Sequence, residues 1–145
     1  MPIQAAIAIL YRDNKFLMQL RDNIPNILYP GYWALFGGHI ESGENPDVAV
    51  KREILEEIGY TLLEFSFFGC YADEIGVRHV FHAPLLVEFD QLVLNEGWDM
   101  ALLTPEEIRQ GSCYSAVAGE VRPLGTRPQR ILLDFMERRE LGTSY

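Results

Sequence analysis

The residues best able to do chemistry crowd into "REILEEIG", Arg52–Gly59, where Glu53, Glu56 and Glu57 fall within about one helical turn. Carboxylates three and four residues apart on a helix repel by roughly 0.2–0.5 kcal/mol per pair. Such a face is either screened by water and salt or built to receive a cation. Two details favour the cation. The acids are not interleaved with lysines at i,i+4, and they follow a glycine-bearing loop with two more acids, Glu41 and Glu44. Oxygen donors without histidine or thiolate suit a hard ion, Mg²⁺ or Mn²⁺, rather than zinc. Magnesium sits on one or two carboxylates and completes its shell with water and substrate phosphates. A diphosphate or triphosphate is therefore the implied partner.

Carboxylates at that spacing need a helix. Asn45 suits its N-cap, Pro46 the first helical position and Gly59 the residue just past its end, so the pattern predicts a helix over 46–58. Counting about 100° per residue from Val48, Glu56, Glu53 and Glu57 fall near 80°, 140° and 180°. Ile54, Ile58 and Leu55 fall near 240°, 280° and 340°, beside Val48. The acids are expected on one arc and the apolar residues opposite, with Lys51 snorkelling outward from the apolar side. Upstream, Ile3–Tyr11 and Lys15–Arg21 read as strands flanking a turn, Asp22–Tyr32 as loop, and Trp33–Phe36 as a short strand stopped by Gly37–Gly38. Downstream, Thr61–Glu74, Val77–Phe89 and Trp98–Leu103 read as strands, with Pro84 marking an edge or bulge. "TPEE" at Thr104–Glu107 has capping-box spacing. Ser112–Thr126 reads as irregular and mobile. Pro128–Glu140 reads as an amphipathic helix with Ile131, Leu132, Phe135 and Met136 on its core face. With no repeat and no linker, residues 1–145 are expected to form a single α+β domain, helices packed on a mixed sheet.

Composition sets outer limits. The 145 residues are 48% apolar and 23% charged, ordinary globular material. A net charge of −9 argues against a broad nucleic-acid or anionic-membrane surface. It leaves room for a small anion brought in by a cation. Cys70 and Cys113 are far apart, with no Cys-x-x-Cys, so neither a zinc site nor a disulfide framework is indicated. No basic leader, and no apolar run approaching the roughly 20 residues of a membrane span, is present. The expectation is a cytoplasmic protein.

Taken together, "GHIESGENPDVAVKREILEEIGY", Gly38–Tyr60, resembles the signature box of the Nudix hydrolases. Gly38, Glu44, Arg52, Glu53, Ile54, Glu56, Glu57 and Gly59 match that pattern, and Tyr60 departs from it where an aliphatic is usual. At roughly 7% usage per residue type, seven fixed identities in register arise by chance on the order of once in 10⁸ positions. The resemblance implies an α/β/α sandwich of that family's type. It implies metal coordination by Glu53, Glu56 and Glu57 with a backbone carbonyl at Gly37, and a bracing pair, Arg52 and Glu44, between loop and helix. Family members cleave a nucleoside diphosphate linked to another group by attack of water on phosphorus. The carboxylate that serves as base varies among them, and here Glu96 in "NEGWDM" competes with the box glutamates.

For the substrate, Arg21 occupies a place similar to substrate-facing basic residues of the family, and Leu35 and Phe36 are candidate walls of a base pocket. No proline lies between Gly59 and Pro84, which disfavours the ADP-ribose type. "PGYWALFGGHIESGE" is similar to the compact group that includes nucleoside-triphosphate pyrophosphohydrolases of the sanitising type and sugar-nucleotide hydrolases. The first of these is the expectation, with sugar-nucleotide hydrolysis or a non-catalytic nucleotide-binding module as alternatives. An isopentenyl-diphosphate isomerase is a poor rival, since no cysteine precedes the box. A homodimer through the final helix or the edge around Pro84 is as compatible with the sequence as a monomer.

Overall fold

Small and branched apolar residues alternate through "IQAAIAIL" and draw the start of the chain into a long strand, β1 (Ile3–Arg12). In the computed structural model, which describes residues 3–141, there follow β2 (Lys15–Leu20), β3 (Trp33–Ala34), β4 (Phe36–His39) and α1 (Pro46–Ile58). Then come β5 (Ser66–Ala72), β6 (Gly76–Pro84), a single 3₁₀ turn at Phe89–Gln91 and β7 (Asp99–Leu103). The chain continues through α2 (Pro105–Gln110), β8 (Ser112–Ser115), β9 (Glu120–Pro123) and α3 (Thr126–Glu140). These elements fall into two units, the chain up to Tyr11 with Phe36–Asn95, and Arg12–Leu35 with the chain from Glu96 onward.

In the first unit β1 runs parallel to β6, from Ile3↔Gly76 to Tyr11↔Pro84, and antiparallel to β4, from Ala5↔His39 to Ala8↔Phe36. β5 pairs antiparallel with β6 and carries a bulge between Phe67 and Gly69. α1 lies against β4 and β6. Ala6, Ile9, Leu10, Phe36, Val50, Ile54, Ile58 and Val80 of this unit are all fully buried. The fold class is α+β with mixed strand pairing, as the sequence implies.

The second unit is built on β2, whose Phe16, Leu17, Met18 and Leu20 are all inaccessible to solvent. β2 pairs antiparallel with β3 and with β7. α3 brings Phe135 edge-on to Phe16, ring centroids 6.0 Å apart, and the Trp33 indole donates to the Cys113 carbonyl at 3.1 Å. Thr104 and Glu107 form the reciprocal capping box that opens α2.

Several boundaries differ from expectation. Gly37–Gly38 do not stop a strand. The break falls at Leu35, and both glycines lie inside β4, because pairing to β1 holds them extended. β5 begins only at Ser66, and β6 ends at Pro84, which has no N–H for a further rung. Ser112–Thr126 is not irregular: β8 and β9 form a hairpin in the register Ser112↔Pro123 to Ser115↔Glu120. α3 starts at Thr126, with Pro128 inside its first turn. No helix of the described residues is long and apolar enough to cross a membrane.

Candidate functional site

The site is assembled where two consecutive glycines let strand and helix approach. Gly37 has φ of +152°, and a Cβ there would strike the Ala6 carbonyl and the Ile7 Cα on β1. At Gly38 a Cβ would drive into the carboxyl group of Glu53. The absent side chains make the space that the helix acids occupy. Across that space the Gly37 N–H donates to Glu57 Oε1 at 2.9 Å.

Arg52 organises the loop side. Its Nε and one terminal nitrogen reach Glu44 in a two-pronged pair at 2.8 and 2.9 Å, and the same terminal nitrogen donates to the His39 carbonyl at 3.1 Å. Its other terminal nitrogen donates to Glu53 at 3.0 Å and stands 3.6 Å from Glu56 and 3.8 Å from Glu41. Glu44 in turn accepts from the Glu41 N–H at 3.0 Å. The guanidinium bond, joined by that N–H, holds the Glu44 carboxyl down at about 2. The same pairing pushes Arg52 further up, against the burial that favours its neutral form. One cation thus ties the 39–44 loop to the helix and orients Glu53.

The helix presents its acids differently from the wheel. Val48 and Leu55 are about half exposed (52% and 51%), and Lys51 is exposed as well. The buried side runs through Ala49, Val50, Ile54 and Ile58, and Glu53 and Glu57 lie along its margin, half-buried, while Glu56 is exposed. The acids are therefore not opposite the packed face; two of the three are part of its border. The reason is β4: glycines provide an opening for carboxylates where a packed face would otherwise want methyl groups.

The far end of α1 is unusually well secured. Gly59 N–H donates to the Leu55 carbonyl at 3.0 Å, and Val93 N–H to Ile58 at 3.1 Å. Asn95 supplies the other two bonds, from its amide side chain to Glu56 at 2.7 Å and from its N–H to Glu57 at 3.0 Å. All four carbonyls that a helix leaves open at its C-terminus are satisfied. Asn95 was not legible as a functional residue; a polar residue in a loop carries no signal of the backbone it will cap.

Among the described residues no three carboxylate, imidazole or thiol groups already converge as a cation cage. The donor set is nonetheless consistent with magnesium or manganese. It is all hard oxygen, it sits beside a glycine-lined gap, and such ions take part of their shell from water and phosphate.

The remaining candidates are Phe36, Leu35, Arg21 and Glu96. Phe36 is fully buried and Leu35 nearly so (0% and 7% exposed), so both pack as core side chains. Arg21 commits its Nε to the Leu28 carbonyl at 2.6 Å, bracing its own loop. Glu96 is exposed.

The model of the NUDIX domain matches residues 1–120. Over 71 residues the chain is 41% identical to an ADP-ribose pyrophosphatase of Methanocaldococcus jannaschii, a stretch covering 49% of this chain and 40% of that protein. Over 36 residues it is 56% identical to the nucleoside triphosphatase NudI of Escherichia coli, covering 25% and 26% respectively. The chain thus spans two-fifths of the first relative's length and about a quarter of the second's. In fold it is similar to the crystal structure of the MutT protein from Methanosarcina mazei Go1, with a TM-score of 0.74 at 19% identity, over 95% of this chain and 96% of that one.

Proposed function

The chain belongs to the NUDIX domain family, and on that footing we propose that it hydrolyses a nucleoside diphosphate linked to another group, with a nucleoside triphosphate as the favoured substrate. The observation that carries this reading is the pair Glu53 and Glu57, side by side against Gly37–Gly38 and each oriented by a donor, Arg52 for one and the Gly37 N–H for the other.

Nudix hydrolases generally need a divalent metal. Glu53, Glu56 and Glu57, with the Gly37 carbonyl, are the groups to hold it. When bound, such an ion neutralises charge on phosphoryl oxygens and lowers the barrier to attack by water. The chain's own part is positional. Arg52 keeps the Glu53 carboxylate facing the glycine gap, the Gly37 N–H fixes Glu57, and the closed C-terminal turn of α1 holds Glu56 and Glu57 in register. One carboxylate orients the attacking water and takes its proton. Glu56, exposed and least constrained, and Glu96 on the following loop are the two candidates for that base. Turnover of Glu96→Gln decides between them, since near-normal turnover removes Glu96. Arg21 remains a candidate substrate contact through its terminal nitrogens, its Nε being held by the Leu28 carbonyl.

A second reading has its own support: the 41% identity to an ADP-ribose pyrophosphatase favours a nucleoside diphosphate joined to a sugar. Against it stands the absence of a proline between Gly59 and Pro84. Residues 1–145 acting as one domain, in the cytoplasm, on a small molecule rather than nucleic acid or membrane, belong to the same proposal. The experiment is release of phosphate or pyrophosphate from nucleoside triphosphates, sugar nucleotides, ADP-ribose and dinucleotides with Mg²⁺. Preference for triphosphates supports the first reading and preference for ADP-ribose or sugar nucleotides the second. Binding without turnover across the panel would leave only a nucleotide-binding module.

A further inference from the structure

The first unit carries a second reactive constellation, on β1, β5 and β6 and made of residues other than the acids of α1. Cys70 on β5 and His79 on β6 are register partners, and the Cys70 Sγ stands 3.8 Å from His79 Nδ1. On the far side of the ring, His79 Nε2 lies 2.8 Å from Gln4 Oε1 on β1. An amide oxygen only accepts, so it fixes the proton on Nε2 and leaves Nδ1 as the bare acceptor turned to the thiol. Nucleophile, base and base-orienting group in that order are the arrangement that activates a cysteine. Cys70 and Gln4 are exposed, so a small molecule reaches the sulfur directly. Arg78, next along β6, points to the other face of the strand and pairs with Asp73 at 3.1 Å.

We propose that Cys70, deprotonated by His79 with Gln4 orienting the ring, is a site of thiol–disulfide exchange with small-molecule disulfides. The thiol proton passes to His79 Nδ1. The thiolate attacks one sulfur of the disulfide, a new S–S bond forms as the old one breaks, and the departing sulfur leaves with the bonding electron pair. Cys70 is oxidised to a mixed disulfide, and one half of the reagent is reduced to its thiol, which collects the proton. Cys113 supplies an internal control. It is buried, and burial together with the Glu107 carboxylate 3.3 Å away pushes its thiol up to about 12.

The test is the rate at which the full native chain forms a mixed disulfide with oxidised glutathione at pH 7, followed by intact mass and mapped to Cys70 or Cys113. Reaction should map to Cys70 alone. His79→Ala should slow it roughly tenfold or more, and added imidazole should restore the rate in that variant while leaving the native chain unchanged. Gln4→Leu should slow the reaction, whereas Gln4→Glu, which still accepts from Nε2, should preserve it. These two act at an exposed side chain and decide the matter even if His79→Ala fails to fold. Equal rates in native chain and His79→Ala, or equal rates in Gln4→Leu and Gln4→Glu, would overturn the assignment.

Discussion

α1 and α3 are both amphipathic helices of ordinary length, yet they obey their sequence patterns differently. On α3 the four residues expected inward, Ile131, Leu132, Phe135 and Met136, are the four that are buried. On α1 the expected apolar arc is split. Ile54 and Ile58 are inside, Val48 and Leu55 face water, and Glu53 and Glu57 take places at the edge of the packed side. α3 meets close-packed side chains such as Phe16. α1 meets Gly37 and Gly38, whose missing side chains leave a gap suited to carboxylates. A helix wheel reports the helix alone. The surface opposite decides which arc is buried, and a functional helix is where the two disagree.

The contrast is open to direct attack. The largest expected effect is at the acids. Glu57→Gln and Glu53→Gln should each lower turnover by about 10²–10⁴-fold while leaving the thermal midpoint near that of the native chain, because each retains its shape at a half-buried position. A comparable loss of midpoint would mean that these side chains hold the fold rather than the substrate. On α3, Phe135→Ala should cost about 3–5 kcal/mol in denaturant unfolding, the usual penalty for an aromatic lost from a core. Gly38→Ala comes next. The added methyl displaces the Glu53 carboxyl, and a misplacement of about 1 Å is enough for roughly a hundredfold fall in turnover.

A smaller effect concerns acid. Glu44 is held at about 2 against an ordinary 4.5. Its folded value lies below its unfolded one, so its contribution is complete above 4.5 and is lost as pH falls from there toward 2. Carboxyl chemical shifts followed through that range should give a Glu44 midpoint near 2 that returns toward 4.5 in Arg52→Gln. The smallest effect is at Val48 and Leu55. Polar replacements there should change stability by no more than about 0.5 kcal/mol, as befits positions facing water.

How much the sequence revealed follows the same division. Pro46 and Gly59 mark α1 to the residue, because each meets a local backbone requirement, while Asn45 stands at the N-cap position without a side-chain capping bond. The Arg52–Glu44 pair was legible only through the resemblance to the Nudix box, and it forms as that resemblance implies. The β8–β9 hairpin was not. Its alternation buries Cys113 and Ser115 and exposes Tyr114 and Val121, the reverse of what hydrophobicity suggests. Ser115 is inside because it donates to Asp99 at 2.6 Å, a partner 16 residues away. Leu35 and Phe36 are buried for the mirror-image reason: large apolar side chains beside a functional loop are first claimed by the core. Asn95 escaped because its partners are backbone carbonyls, which every residue carries.

The four bonds that close the end of α1 bear on motion as well as on shape. A helix terminus ordinarily frays on the nanosecond scale, and side chains on its last turn sweep through many positions. Here Val93, Asn95 and Gly59 leave the last four carbonyls nothing to gain by unwinding. Glu56 and Glu57 therefore ride on backbone that is already still, and the entropy of ordering that turn is lost during folding rather than at each encounter with a ligand.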